Sequence, residues 1–146
     1  MRFKHDAERV VMAGGVGWSI LRATPFPEFT DRVLRATSRL GLIIVPAHTP
    51  WQTADTGEVA DRITAMIDQG PSGAIQDFGG PGIRPFEEFA RTWLRARRMR
   101  RPILRLLLPG SAWQAQRDGH HTTPSCRTGR RTWQDYLAQT YGPAAP

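Results

Sequence analysis

Two short apolar runs, Leu42-Ile43-Ile44-Val45 and Ile103 to Leu108, do most to limit what this chain can become. Each has the length of a buried strand, and each follows a segment whose apolar residues recur every three or four positions. Ahead of the first run, Phe29, Val33, Ala36 and Leu40 share one side of a helix beginning at Glu28. The other side of that helix sets Glu28 four residues before Arg32 and Asp31 four before Arg35, the favourable order for ion pairs. Ahead of the second run, Phe86, Phe89, Ala90, Trp93 and Leu94 form a stripe on a helix that Pro85, Glu87 and Glu88 open. Proline is tolerated there, and the acids oppose the helix dipole. Helices alternating with continuous apolar strands predict an α/β architecture with a mostly parallel sheet, whose strands are covered on both faces.

The remaining segments fit the same plan. Residues 4–14 carry Ala7, Val10 and Val11 on one helical face, ended by Gly14 and Gly15. Trp18-Ser19-Ile20-Leu21 is a strand stopped by Thr24-Pro25-Phe26-Pro27. Asp55-Thr56-Gly57-Glu58 has capping-box spacing for a helix expected to bury Val59, Ile63, Met66 and Ile67 and to end at Gly70. Ala74-Ile75 is a short strand candidate, residues 110–131 are polar and irregular, and Trp133, Leu137 and Tyr141 mark a last helix. With no repeat and no linker, residues 1–146 are taken as one domain. A unit of this kind ordinarily begins with a strand, and this chain begins with a helix. The expectation is therefore a partial, Rossmann-type three-layer unit that lacks its first βαβ strands.

Composition excludes more than it identifies. At 40 % apolar and 23 % charged residues the chain is a globular, soluble type. No apolar run approaches the ~20 residues of a membrane span, and no apolar segment follows the charged N-terminus as in a secretion signal. The single cysteine, Cys126, rules out an internal disulfide framework and fits a cytoplasmic setting. The net charge of +7 is almost all arginine, Lys4 being the only lysine. Arg91, Arg95 and Arg98 share a helical face opposite Phe89 and Trp93, so they read as solvated surface. A phosphate-tracking stripe is the functional alternative, and a nucleic-acid partner is not expected.

Three motifs invite chemistry and are better read as structure. Gly14-Gly15-Val16-Gly17 lies between a helix and a strand, the reverse of a dinucleotide turn. Gly79-Gly80-Pro81-Gly82 precedes a helix, yet it lacks the Lys-Ser/Thr of a phosphate loop and reads as a turn. His120, His121 and Cys126 are metal-ligand types without a second pair, so no metal site is assigned. Nothing orients a Cys–His nucleophile there either.

Six blocks in order carry a family likeness: Lys4–Val11 (KHDAERVV), Trp18–Phe29 (WSILRATPFPEF), Asp77–Arg84 (DFGGPGIR), Glu88–Ala96 (EFARTWLRA), Pro102–Gly110 (PILRLLLPG) and Thr132–Ala138 (TWQDYLA). Together they resemble the later half of the NmrA-like, NAD(P)H-binding branch of the atypical short-chain dehydrogenases. The resemblance implies an NAD(P)-binding oxidoreductase-like protein. It places Lys4 on the lysine of that family's Tyr-x-x-x-Lys pair, whose tyrosine position would precede Met1. Lys4 is thus a vestigial catalytic candidate, and Lys4, Ala23, Thr24 and Phe26 are the positions implied to border the nicotinamide. Pro25-Phe26-Pro27 replaces the family's "QFH", and Gln52-Thr53-Ala54-Asp55 stands where an apolar "QPV" run is usual.

Neither the glycine-rich pyrophosphate turn nor the ribose-reading residue is recognisable in these blocks. The expectation is a truncated chain, inactive as a reductase alone and holding no cofactor by itself, with NAD(P) implied by the family. A homodimer or a partner chain is expected to cover an open sheet edge. Two other classes stay open: a non-enzymatic interaction or small-ligand module of the NmrA-like regulator type, and, more distantly, a basic nucleic-acid binder.

Overall fold

A computed structural model describes residues 2–39, 41–107 and 109–142. In chain order the elements are α1 (Arg2–Ala13), β1 (Ile20–Ala23), α2 (Pro27–Thr37), β2 (Ser38–Arg39), β3 (Leu42–Pro46), β4 (Pro50–Trp51) and α3 (Thr56–Gln69). Then come β5 (Ile75–Phe78), β6 (Arg84–Pro85), α4 (Phe86–Ala96), β7 (Ile103–Leu106), α5 (Ser111–Arg117) and α6 (Trp133–Tyr141). The expected alternation is there, and its longer ladders are parallel. β1 pairs with β5 from Ile20↔Ile75 to Ala23↔Phe78, and β3 pairs with β7 from Ile43↔Ile103 to Pro46↔Leu106. Two short antiparallel ladders complete the set, β2 on β3 and β4 on β6. The described residues thus form three small sheets rather than one continuous one.

The main core joins α2, β3, α4 and α6 through Leu34, Ile43, Val45, Phe86, Phe89, Trp93, Trp133 and Leu137. Helix α4 buries Phe86, Phe89, Ala90, Trp93 and Leu94, the stripe its periodicity specifies. Helix α6 is held at its start by a reciprocal cap between Thr132 and Asp135, and Trp133 Nε1 donates to the Phe89 carbonyl oxygen at 3.2 Å. A smaller cluster lies beside β1, where Leu21 packs on Ala54, Val59 and Phe78. Side chains alternate along a strand, so Arg22 points to the opposite face. There it donates to both carboxylate oxygens of Glu8 on α1, at 2.9 and 2.6 Å. Helices α1 and α3 therefore cover opposite faces of β1.

Several inward faces differ from the sequence expectation. Helix α2 buries Pro27, Thr30, Asp31 and Leu34, whereas Phe29 is 49 % exposed. Leu40, placed on the apolar stripe, lies outside the described residues, as does Leu108 at the end of the second apolar run. Asp31 does pair with Arg35, at 2.8 Å, but as a buried group. Hydrogen bonding explains the rotation: Asp31 Oδ1 accepts from Trp93 Nε1 at 2.5 Å and from the Tyr141 hydroxyl, so a carboxylate can be buried with all its partners. Burial, then the hydrogen bond to Asp31, raises the Tyr141 pKa. Glu28 bonds Thr56 Oγ1 at 2.9 Å rather than Arg32. Strand β1 sits two residues later than Trp18–Leu21, and β5 runs four residues, past Ala74-Ile75. Helix α5 occupies part of the stretch expected to be irregular; SAWQAQR has no apolar period to betray it.

Part of the exposed apolar surface flanks one strand edge. The amides of Ile20 and Thr24 donate toward β5, at 3.1 Å each, so those of Leu21 and Ala23 face the other way. No other strand among the described residues pairs on that side. Flanking the edge, Val10 on α1 is 74 % exposed and Ile67 on α3 is 72 % exposed, with Val11 and Ile63 exposed as well. The expected burial of Ile63 and Ile67 is thus not met, because nothing described covers them. A groove of about 490 Å³ runs between Leu21 and the Ile63, Met66 and Ile67 side of α3.

Candidate functional site

In parallel α/β folds ligands gather at the carboxyl ends of the strands, because loops and helix starts converge there. Here that end is made by the loops after β1, β3 and β5 and by the segment between β7 and α6. A buried glutamine ties three of them together. Gln52, fully buried, donates from Nε2 to the Gly80 carbonyl oxygen at 2.7 Å and accepts at Oε1 from the Thr123 amide at 2.8 Å. Asp55 caps α3 by accepting from the Glu58 amide at 3.1 Å. The Glu58 carboxylate does not complete a capping box; it accepts instead from the amides of Arg130 and Arg131, at 2.9 to 3.3 Å. The departure of Gln52-Thr53-Ala54-Asp55 from an apolar run therefore serves this latch.

The four positions implied to border a nicotinamide fall as follows. Ala23 and Thr24 close β1, and Phe26 caps the start of α2 with 37 % exposure. Thr24 is buried, its amide bonds the Phe78 carbonyl oxygen at 3.1 Å, and its hydroxyl has no hydrogen-bond partner among the described residues. A buried, unsatisfied hydroxyl is uncommon and asks for a ligand or a water. Lys4 is exposed on α1. Its charge reaches His121, whose pKa is lowered first by burial and then by Lys4 and His120.

A ring ladder lies between these regions. Phe29 stacks with Trp51 at 6.5 Å between centroids, and Trp51 meets His121 at 5.4 Å. The alternation of apolar residues gives no sign of this ladder, since Trp51 in the two-residue β4 and His121 in the segment after α5 are distant in sequence.

A dinucleotide also asks for free backbone amides where a strand turns into a helix. Residues 14–17 join α1 to β1, the wrong order. Residues 79–82 do follow a strand, but protein fills the turn. A β-carbon on Gly80 would lie 1.6 Å from the Thr53 carbonyl oxygen, and one on Gly79 would lie 2.2 Å from that of Cys126. The first amide of α4, that of Phe86, is taken by the Thr49 carbonyl oxygen at 2.9 Å. Neither turn fits a diphosphate. Cys126 Sγ donates to the Asp77 carbonyl oxygen at 2.9 Å. Among the described residues no three His, Cys, Asp or Glu gather as metal ligands, and no helix is long and apolar enough to cross a membrane.

Among solved structures, the chain is similar to a nucleoside-diphosphate-sugar epimerase from Staphylococcus aureus. The TM-score is 0.69 at 16 % identity, covering 91 % of this chain and 56 % of that one. It is also similar to TunA, described as an NAD-dependent NDP-hexosamine 5,6-dehydratase of tunicamycin biosynthesis (TM-score 0.52, 13 % identity, covering 88 % and 45 %). A third is RMD from Pseudomonas aeruginosa, solved with NADPH (TM-score 0.50, 10 % identity, covering 82 % and 44 %). No protein-family model matches the sequence, and no curated protein does. The chain spans about half the length of these structures. At such identities the likeness is one of fold: the chain has part of a Rossmann-like α/β fold.

Proposed function

We propose that this chain is the substrate-side portion of an NAD(P)-associated, short-chain-dehydrogenase-like unit of the NmrA-like kind, and that it carries out no reductase chemistry alone. The observation that carries this reading is the state of β1. It ends a parallel pair with one edge unpaired, and exposed apolar side chains rise on both sides of that edge, Val10 and Val11 from α1 and Ile63 and Ile67 from α3. In a three-layer fold such a gap is where the next parallel strand lies, sandwiched between helices. The longer structural neighbours support the reading, since each extends well beyond the matched portion. In the completed unit Thr24 would lend its unsatisfied hydroxyl to a nicotinamide-side contact, and Ala23 and Phe26 would border it. Lys4 would supply positive charge nearby, while the diphosphate would be held by residues outside this chain. When bound, the nucleotide would supply hydride chemistry.

An unpaired edge with apolar flanks is relieved by association, so a second copy or a partner chain is expected to cover it. Size-exclusion chromatography with an apolar-surface dye tests this. The chain is expected to self-associate or to bind dye strongly. The double variant Val11→Glu/Ile67→Glu is expected to lose most of that response while keeping its helical signal, since both side chains are exposed. A monomer that binds no dye would contradict the reading.

A further inference from the structure

A second cleft lies at the carboxyl ends of the other parallel pair, β3 and β7, with a volume of about 520 Å³. Its floor is apolar, from Ala47, Ile83 and Phe86, and its charged rim is His48, Arg84, Arg105 and Glu87. Among the described residues neither His48 nor Arg84 makes a side-chain hydrogen bond or ion pair. Arg105 meets Glu87 at 3.5 Å, a loose contact, and Glu87 is held more closely by Arg91 outside the cleft, at 2.5 Å. With its only carboxylate so engaged, the rim keeps a net positive charge. The backbone adds a second sign. His48 adopts φ = 53°, a left-handed conformation that a residue with a β-carbon seldom takes. Such strain persists where the surroundings fix it, and it collects at ligand sites. Here it sits in the turn that carries the chain from β3 to β4 and brings His48 to the cleft.

We propose that this cleft binds a small organic oxyanion, a phosphate monoester or carboxylate on an apolar body, with Arg84 and Arg105 gripping the anion, His48 donating to it and Phe86 below. Planar guanidinium groups suit such oxygens because they offer two parallel donors. The proposal needs no nucleotide, so it stands or falls apart from the reading of β1.

The test is a titration of the intact chain with phenyl phosphate, benzoate and neutral benzyl alcohol at low salt, followed by the imidazole Cε1–H resonances, with His48→Gln assigning the His48 signal. Saturable shifts of His48 with phenyl phosphate and benzoate, but not with benzyl alcohol, are expected. A response to phenyl phosphate alone would narrow the ligand to phosphates. Arg84→Ala and Arg105→Ala are each expected to weaken binding about tenfold. Arg95→Ala, which removes an exposed arginine of α4 outside the cleft, is expected to leave it unchanged. All three arginines are exposed, so the variants are expected to fold. No saturable shift at His48, or equal losses in all three arginine variants, would overturn the proposal.

Discussion

Gly80→Ala is expected to lower stability by about 3–5 kcal/mol, combining overpacking with broken buried hydrogen bonds. The new β-carbon would meet backbone rather than a pliable side chain, 1.6 Å from the Thr53 carbonyl oxygen and 2.6 Å from its carbon. The loop must therefore move. It cannot move alone, because the Gly80 carbonyl accepts from Gln52, which also holds the Thr123 amide. At about 3 °C per kcal/mol for a chain of this size, thermal unfolding should begin about 10 °C lower. Gly82→Ala is the control two residues away. A β-carbon there has nothing within 4 Å, so its effect should stay within about 0.5 kcal/mol. Equal effects of the two substitutions would refute the latch.

Asp31→Ala is the second large effect, about 3 kcal/mol of destabilisation measured by urea unfolding. The loss comes chiefly from inside. Trp93 is fully buried, and its Nε1 would lose the acceptor it holds at 2.5 Å. Arg35 is half exposed, so the 2.8 Å ion pair itself contributes little once solvent screens it. Asp31→Asn, which keeps an acceptor for Trp93, should recover about half of the loss. The Tyr141 hydroxyl gives an independent readout. Its pKa is raised by burial and by Asp31, and in Asp31→Ala it should move back toward the ordinary phenol value. If Asp31→Ala and Arg35→Ala cost the same, the carboxylate is a surface ion-pair partner and this account of α2 fails.

These two residues also show what the sequence makes legible. Periodicity finds apolar stripes, so α4, β3 and the start of β7 are plain in it, and acid or proline at a first turn places helix starts well. It ranks Asp31 as an outward residue, because a carboxylate looks like surface until its donors are known. Trp93 and Tyr141, which supply them, are 62 and 110 residues away in sequence. Gly80 was legible as a turn, but not as the point where three loops meet. On α3, half of the expected inward face is exposed, since periodicity marks a face that wants cover and cannot say where the cover comes from. Of the candidate site, the family resemblance implied Ala23, Thr24 and Phe26, and these lie from the end of β1 to the start of α2. The Phe29–Trp51–His121 ladder and the His48 cleft depend on loop conformation, which no spacing rule encodes.

The central claim is that these residues carry the later strands of a Rossmann-like unit without a place for the nucleotide's phosphates. Calorimetric titration of the chain with NADPH and NADH addresses it directly. The expected result is no saturable heat into the millimolar range, because of the two glycine-rich turns, residues 14–17 and 79–82, the one that follows a strand, residues 79–82, is packed with the chain's own backbone. Saturation at one nucleotide per chain with a micromolar dissociation constant would contradict the account.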